Sequence, residues 1–134
     1  MRQIFHIVTK AKNFDRVIGK AKLIDGGNGR CICEMKVEEE HENRGQTLHG
    51  GMTATLVDNI STIALMSYND GTPPGVSVNM NISYLKAAPS NTTIVIDART
   101  LRVGKRLAYL SVDVTNKETS ELIAQGQHTK FIGS

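Results

Sequence analysis

Aromatic residues and clustered positive charge are both scarce in this sequence. Its 134 residues include no tryptophan, and aromatic side chains make up 4% of the total. Sixteen lysines and arginines are balanced by thirteen acidic residues, so the net charge is only +3. Proteins that bind nucleic acids combine basic stripes with aromatic side chains that stack on bases. The composition therefore argues against a nucleic-acid partner.

Cysteine is also rare, which argues against a disulfide framework. Cys31 and Cys33 are two positions apart in a strand-like run, so both side chains would point to the same face of the strand and not towards each other. We expect buried free thiols in a reducing compartment. The four histidines show none of the spacings of a zinc site, so we predict no metal.

Long hydrophobic runs are missing as well. The N-terminus lacks the apolar core of a signal peptide, and the most apolar stretch, residues 50–69, contains too many Thr, Ser and Asn residues to span a bilayer. We therefore expect no transmembrane segment and a cytosolic location. No repeat or linker divides the chain, so residues 1–134 are predicted to form one domain.

The segment QTLHGGMTATLVDNISTIALMS, residues 46–67, predicts a long central helix. Apolar residues occupy nearly every side of that helix, so it should be buried almost all round. Asp58 is the single charged residue from Gly50 to Asn69. Two interpretations remain open: Asp58 supports folding from a solvent-facing position, or it is an acid or base tuned by apolar neighbours.

The start of this helix is the second unusual feature. His49 is followed by Gly50 and Gly51, and the first N–H groups of a helix lack intrahelical partners. A ligand oxygen could approach these N–H groups directly, so the segment is either an oxyanion site or an ordinary flexible turn. Thr47 and Thr53 are the candidate capping hydroxyls.

Alternating apolar and polar residues predict strands on both sides of the long helix. A short helix over residues 4–13 comes first, and the Gly-Gly-Asn-Gly tetrad at 26–29 predicts a hairpin turn. Because short turns join antiparallel neighbours, we predict an α+β fold. A single antiparallel sheet of about five to six strands wraps round the helix, and its last four strands form a meander. The predicted strands are 17–25, 30–38, 76–84, 92–101, 107–115 and 122–131.

Two groups of predicted loop residues could contact a ligand. Asn43 precedes the long helix and is either a turn residue or a side-chain donor beside the Gly50 N–H. A basic set follows the helix, and its members are individually typical of solvated surface but could together bind phosphates. The basic set is Lys86, Arg102, Lys105, Arg106 and Lys130.

Five segments resemble the HGG-containing hot-dog thioesterases that act on acyl-CoA. They are TLHGGMTATLVDNIST, MKVEEEH, PGVSVNMNISY, SVDVTNK and LIAQGQHTK, and together they spread the likeness over nearly the whole chain. The resemblance implies a single hot-dog domain that assembles as a homotetramer made of two dimers. It also implies hydrolysis of medium- to long-chain fatty acyl-CoA without a cofactor, and association with a phosphatidylcholine transfer protein.

The resemblance further assigns roles to individual positions. Asn43 and the Gly50 N–H would polarise the thioester carbonyl, Asp58 would activate water, and Ser77 would help to hold that water. His49 and Gly51 would support the helix start. The segments expected to contact CoA are Tyr84, Leu85, Lys86, Ala87, Ala88, Pro89, Arg102, Val103, Gly104, Lys105, Arg106 and Leu107.

Helix geometry adds a constraint that is independent of the family. Gly50 and Asp58 are about 12 Å apart along a helix at 1.5 Å per residue, so one thioester cannot touch both within a subunit. If two central helices pair antiparallel, each active site is shared and the dimer is the minimal catalyst. Asp58 could act as a general base or attack directly to give an anhydride. A triad of Ser77, His49 and Asp58 is rejected because His49 directly precedes the helix.

Two rival functions remain open. Hot-dog folds also carry hydratases and dehydratases of acyl thioesters, but these generally use a His-carboxylate pair and this helix contains no histidine. The other rival is a non-catalytic module that binds acyl-CoA or a protein.

Overall fold

The computed structural model describes residues 1–133. The described residues form two helices and six strands: one helix and two strands, then a second helix and four strands, with short 3₁₀ turns at Phe14–Ile18 and Glu39–His41. The helices are α1 (Arg2–Thr9) and α2 (Gly50–Met66); the strands are β1 (Lys22–Gly27), β2 (Arg30–Lys36), β3 (Val76–Tyr84), β4 (Thr93–Val103), β5 (Leu107–Asn116) and β6 (Leu122–Phe131).

The predicted central helix is confirmed in α2, which is 17 residues long. Leu56, Ile60 and Ile63 are completely buried, because the inner faces of β2, β4 and β5 cover the helix. Among the described residues, no helix is long and apolar enough to cross a membrane. The Asp58 side of α2 is different, since its residues are only partly buried within this one chain.

All six strands belong to one antiparallel sheet with the order β1-β2-β4-β5-β6-β3. The predicted α+β class and strand count are confirmed, and β4, β5 and β6 form a meander. The prediction that β3 begins this meander is wrong, because β3 pairs with β6 at the sheet edge and β4 pairs with β2. The short segment from β3 to β4 does not close a hairpin. Its backbone bonds to the loop before α2 and to the end of β2, as in Leu48 N to Ala88 O and Asn91 N to Val37 O.

The first hairpin shows what the local sequence could and could not predict. Asn28 and Gly29 both have positive φ values, 54° and 89°, as a two-residue turn with right-handed strand twist requires, so the predicted turn is confirmed. The predicted strand over 17–25 is wrong in its first half. The side chain of Asn13 accepts a hydrogen bond from Asp15 N and starts a 3₁₀ turn that buries Ile18.

The inward face of β2 matches the sequence pattern. Cys31, Cys33, Met35 and Val37 are all buried, and both cysteines are free thiols. Burial raises the pKa of the Cys31 thiol to about 12, so the thiol stays protonated and behaves as a small apolar core group.

Candidate active site

The start of α2 presents an unused backbone donor. His49 is the N-cap, and its Nδ1 accepts a hydrogen bond from Gly51 N at 2.8 Å, so the capping group is His49 and not Thr47 or Thr53. Within residues 1–133, the Gly50 N–H has no hydrogen-bond acceptor. A free N–H at the positive end of a helix is suited to binding a carbonyl oxygen that gains negative charge.

The side chain of Asn43 is held in a fixed orientation by its own loop. Its Oδ1 accepts hydrogen bonds from Gly45 N at 2.9 Å and Thr47 N at 3.1 Å. Its Nδ2 donates to Thr47 Oγ1 at 2.9 Å, which leaves the second amide proton for another acceptor. The turn interpretation of Asn43 is therefore correct, and it is compatible with a donor role.

A cavity beside Gly50 brings together part of the predicted CoA segment. Tyr84 Oη donates to Gly50 O at 3.2 Å, and Lys86 forms an ion pair with Glu121 at the exposed rim. Pro89 lies outside this cavity and forms an isolated β-bridge with Thr47. The cavity is lined by Leu48, Gly50, Thr53, Tyr84, Leu85, Lys86, Ala87, Ala88, Ile123 and Ala124.

Asp58 stands next to a chain of polar groups that contains the predicted Ser77 and two buried residues that the sequence did not predict, Ser61 and His128. His128, on β6, is completely buried, and its ring bridges two serines: Nδ1 lies 2.8 Å from Ser61 Oγ and Nε2 lies 2.7 Å from Ser77 Oγ. The half-exposed Asp58 carboxylate lies 3.9 Å from the same Nε2. The only available sequence signal was a histidine at an inward position of β6, and its partners are far away in sequence.

Burial lowers the pKa of His128, although the Asp58 charge acts in the opposite direction. The imidazole is therefore mainly neutral near pH 7, with one nitrogen donating and the other accepting. In a Ser-His-Asp hydrolytic triad, the serine hydroxyl is bonded to one nitrogen of the histidine ring and the carboxylate is bonded to the other. Here Ser77 and Asp58 both lie at Nε2, while Nδ1 is taken by Ser61, so the arrangement does not activate Ser77 as a nucleophile.

Lys130 was predicted among the loop cations, and this placement is wrong. It lies on β6 with its side chain directed at α2, is 4% exposed, and donates from Nζ to Thr62 Oγ1 at 2.6 Å. Burial lowers its pKa, and the negative charge of Asp58 partly offsets that effect. Of the other predicted phosphate-binding cations, Lys105 and Arg106 lie in the turn between β4 and β5, and Arg102 lies at the exposed end of β4.

The predicted site residues fall into two groups at different places in one chain. Gly50 begins α2 and Asp58 follows eight residues later, about 12 Å along the axis at 1.5 Å per residue. On β6, Ala124 pairs with Tyr84, which adjoins Gly50, and His128 lies four residues further on, about 13 Å away at 3.3 Å per residue. The two predicted CoA segments are also separated, since Leu107 pairs with Phe131. We name Asn43, Gly50 and the cavity beside Gly50 the donor group. The base group contains the Asp58 side chain and its neighbours: Asp58, Ser61, Ser77, His128 and Lys130.

Binding of a metal ion would require several His, Cys, Asp or Glu side chains that converge on one point. Among residues 1–133, no three His, Cys, Asp or Glu side chains come together in such a group. The donor and base groups instead offer what acyl transfer uses: hydrogen-bond donors for an oxyanion, and a carboxylate beside ordered hydroxyls.

Comparisons with known proteins agree with this chemistry. The sequence matches the family described as Thioesterase superfamily over residues 45–123. The Homo sapiens acyl-coenzyme A thioesterase 13 is 57% identical over 134 residues, which cover 100% of this chain and 95% of that protein.

Solved structures show the same fold. The crystal structure of zebrafish thioesterase superfamily member 2 matches with a TM-score of 0.93 and 53% identity, covering 98% of this chain and 94% of that one. A hypothetical thioesterase from Streptococcus pneumoniae, crystallised with coenzyme A, matches with a TM-score of 0.82 and 25% identity, covering 89% and 90%. The predicted hot-dog fold and the family resemblance are confirmed: this chain belongs to the thioesterase superfamily.

Proposed function

We propose that the protein hydrolyses fatty acyl-CoA of medium to long chain length to a free fatty acid and CoA. The observation that carries the proposal is the Asp58 carboxylate beside the hydrogen-bonded Ser61–His128–Ser77 chain, whose central histidine is buried, in a chain 57% identical to a protein named acyl-coenzyme A thioesterase 13. The reaction needs two functions, stabilisation of an oxyanion and activation of water, and the donor and base groups are suited to one each.

The donor group would stabilise the transition state. Attack on a thioester moves negative charge onto the carbonyl oxygen, and a preorganised donor at that oxygen contributes about 3 to 4 kcal/mol. The free Gly50 N–H is one such donor, and the second amide proton of Asn43 is the other. His49 and Gly51 support this geometry, since their hydrogen bond fixes the backbone on either side of Gly50.

The base group would generate the nucleophile. Asp58 accepts a proton from water, the water oxygen bonds to the carbonyl carbon, the C–S bond breaks, and the proton passes to the CoA sulfur. Ser77 would hold the water and His128 would position Ser77, because Ser77 Oγ is bonded to His128 Nε2, the ring nitrogen that faces the Asp58 carboxylate. We propose general-base catalysis and not an anhydride, because the Ser77 hydroxyl near Asp58 is suited to holding a water molecule.

The separation of the two groups supports a shared active site. A thioester carbonyl needs both groups within hydrogen-bond reach, yet they lie at different positions along α2 and β6 of one chain. β3 offers a means of pairing: it forms one edge of the sheet, and its nine residues carry no charge. Val76 and Val78 on β3 are 65% and 60% exposed. Long uncharged edge strands pair readily with another chain, so we propose a dimer in which each site combines the donor group of one subunit with the base group of the other.

The same dimer would unite the two predicted CoA segments. Tyr84–Ala88 line the donor-group cavity, while Arg102, Lys105 and Arg106 lie near the far end of β6. One CoA molecule would then bind its pantetheine arm along the first segment and its phosphates on the cations of the second segment from the other subunit.

The test is release of free thiol from palmitoyl-CoA by wild type, Asp58→Asn and Asp113→Asn. Asp113 lies on β5 outside both groups, so its substitution makes the same chemical change away from the site. We expect activity in wild type and Asp113→Asn and its loss in Asp58→Asn. Tight acyl-CoA binding without turnover in wild type would instead indicate a binding module. Full activity in Asp58→Asn would remove Asp58 from the mechanism.

Mixing two inactive variants tests the shared site. Asn43→Ala and Asp58→Asn each retain one intact group, so a heterodimer contains one complete site and one doubly defective site. With random exchange, half of the dimers are mixed and about a quarter of all sites are complete. We expect roughly that fraction of wild-type activity, and no recovery after demonstrated subunit exchange would contradict the shared site.

Several further features are proposed from the family resemblance: a tetramer made of two such dimers, activity without a cofactor, association with a phosphatidylcholine transfer protein, and a location in the cytosol or at mitochondria. Light scattering of the purified protein tests the tetramer, and retained activity after chelation and dialysis tests independence from cofactors.

A further inference from the structure

Lys130 is the one buried cation of the chain. Of the sixteen lysines and arginines, all within the described residues, it alone is buried. Burial of a charged amine is costly unless the charge is compensated. A lysine that only filled space at this position of β6 could be replaced by an apolar residue of similar length, so its charge requires an explanation.

The Lys130 amine is connected to Asp58 through two hydrogen bonds of Thr62. Nζ donates to Thr62 Oγ1 at 2.6 Å, and Thr62 Oγ1 donates to the Asp58 backbone carbonyl at 2.8 Å. Thr62 lies one helical turn after Asp58, and Lys130 pairs in register with Ser77. Within residues 1–133 no carboxylate lies within 4.0 Å of Nζ, so the amine is anchored near Asp58 by a neutral hydroxyl and not by an ion pair.

The other groups around Asp58 supply no positive charge. α2 carries no second charged residue, and β3 presents the neutral Ser77. The inward residues of β2, β4 and β5 that cover α2 are apolar. His128 on β6 is mainly neutral near pH 7, because burial lowers its pKa.

α1 and the Phe14–Ile18 turn also pack against α2. Their charged or titratable residues, Arg2, His6, Asp15 and Arg16, lie at exposed or half-exposed positions, and none of them forms an ion pair with Asp58. Among the described residues, Lys130 is the buried cation whose hydrogen bonds lead to Asp58.

We propose that Lys130 is a positioning residue whose ammonium, held by Thr62, is the counter-charge of the catalytic Asp58 carboxylate. The inference rests on the proposed function of Asp58 as the base. A carboxylate accepts a proton from water only in its ionised form, and a nearby cation favours that form. When a second subunit covers the Asp58 side of α2, water no longer screens the carboxylate, so the internal cation becomes more important.

The test compares pH–rate profiles of palmitoyl-CoA hydrolysis for wild type, Lys130→Met and Lys130→Arg. Methionine keeps the length of the side chain and removes the charge, while arginine retains the charge. We expect the acidic limb of the profile to move up by about one pH unit in Lys130→Met and to stay near its wild-type position in Lys130→Arg. A purely structural lysine would lower the rate without moving the limb, so an unmoved limb in Lys130→Met overturns the inference.

Two controls keep the result decisive. If Lys130→Met fails to fold, Lys130→Gln replaces it, since glutamine also removes the charge but keeps an N–H donor at the end of the side chain; an unmoved limb there overturns the proposal. Asp58→Asn separates this inference from the proposed function. An inactive Asp58→Asn with an unmoved limb in Lys130→Met removes only the role of Lys130, whereas an active Asp58→Asn with a wild-type acidic limb removes Asp58 itself.

Discussion

Replacing Gly50 with proline would remove one backbone N–H from the donor group and little else. Gly50 is the first residue of α2, a position at which helices accept proline because the missing N–H has no intrahelical partner. The preceding residue, His49, has φ −64° and ψ 135°, which is the extended conformation that a residue before proline prefers. The backbone is thus already compatible with Gly50→Pro.

The effect on stability and on activity should differ sharply. No protein hydrogen bond is lost, since the Gly50 N–H has no acceptor within residues 1–133. Proline also restricts the unfolded chain, so stability should be unchanged or rise by about 0.4 to 1 kcal/mol. Loss of one oxyanion donor, in contrast, costs about 3 to 4 kcal/mol of transition-state stabilisation, or roughly a 10²- to 10³-fold drop in kcat.

Gly50→Ala is the matched control, because it adds a β-carbon but keeps the N–H. That carbon would lie 3.6 Å from the Tyr84 ring, an ordinary contact, so we expect Gly50→Ala to lose little activity. The assay is steady-state thiol release from palmitoyl-CoA, with thermal unfolding to confirm the fold and CoA inhibition to confirm binding. If Gly50→Pro is folded and as active as Gly50→Ala, the Gly50 N–H is not part of the oxyanion site.

Three other predictions follow from particular contacts. A β-carbon at Gly126 would lie 2.7 Å from Val57 Cγ1, so Gly126→Ala should destabilise the fold by about 1 to 3 kcal/mol in urea unfolding, with recovery in the double variant that also carries Val57→Ala. Burial lowers the pKa of His128 in the native chain. As the pH falls through about 6.5, the ordinary pKa of histidine, His128 therefore takes up a proton more readily in the unfolded chain than in the native chain. Stability should therefore fall as the pH drops through that range, by up to about 1.4 kcal/mol per pH unit, and less in His128→Gln, as unfolding at pH 7.5 and 5.5 would measure. Val78→Lys should dissociate the dimer and abolish activity, as size-exclusion chromatography would detect, whereas Ile24→Lys on the β1 edge should leave the assembly unchanged.

The sequence correctly predicted the elements that depend on the residue pattern within one short segment. The apolar run of α2, the alternation of β2 and the Asn28-Gly29 turn each depend on periodicity or on a positive φ that few residues accept. The meander of β4, β5 and β6 followed from two short turns. The helix, the strand, the turn and each hairpin of the meander lie within segments of about 25 residues or fewer, so the sequence could predict them.

The position of β3 and the environment of Asp58 could not be predicted in this way. β3 left the expected meander because the segment after it bonds to the loop before α2, a long-range pairing that no local pattern reveals. His128 joins Ser61 and Ser77 across sequence separations of 67 and 51 residues. Lys130 resembled a surface cation for the same reason, since only the pairing of β6 with β3 and β5 directs it towards α2.

The exposed apolar face of β3 is best explained by the geometry of the chemistry. An uncharged edge strand is a liability, and proteins ordinarily protect such edges with charges, proline or bulges. β3 has a register shift between Ser77 and Asn79 but no charge along its length. If each active site is shared as proposed, a subunit whose donor group and base group are separated along α2 and β6 is inactive alone, and pairing through this edge is required for function. A charge on β3 would keep the subunits apart, so we expect it to abolish the activity of the proposed dimer.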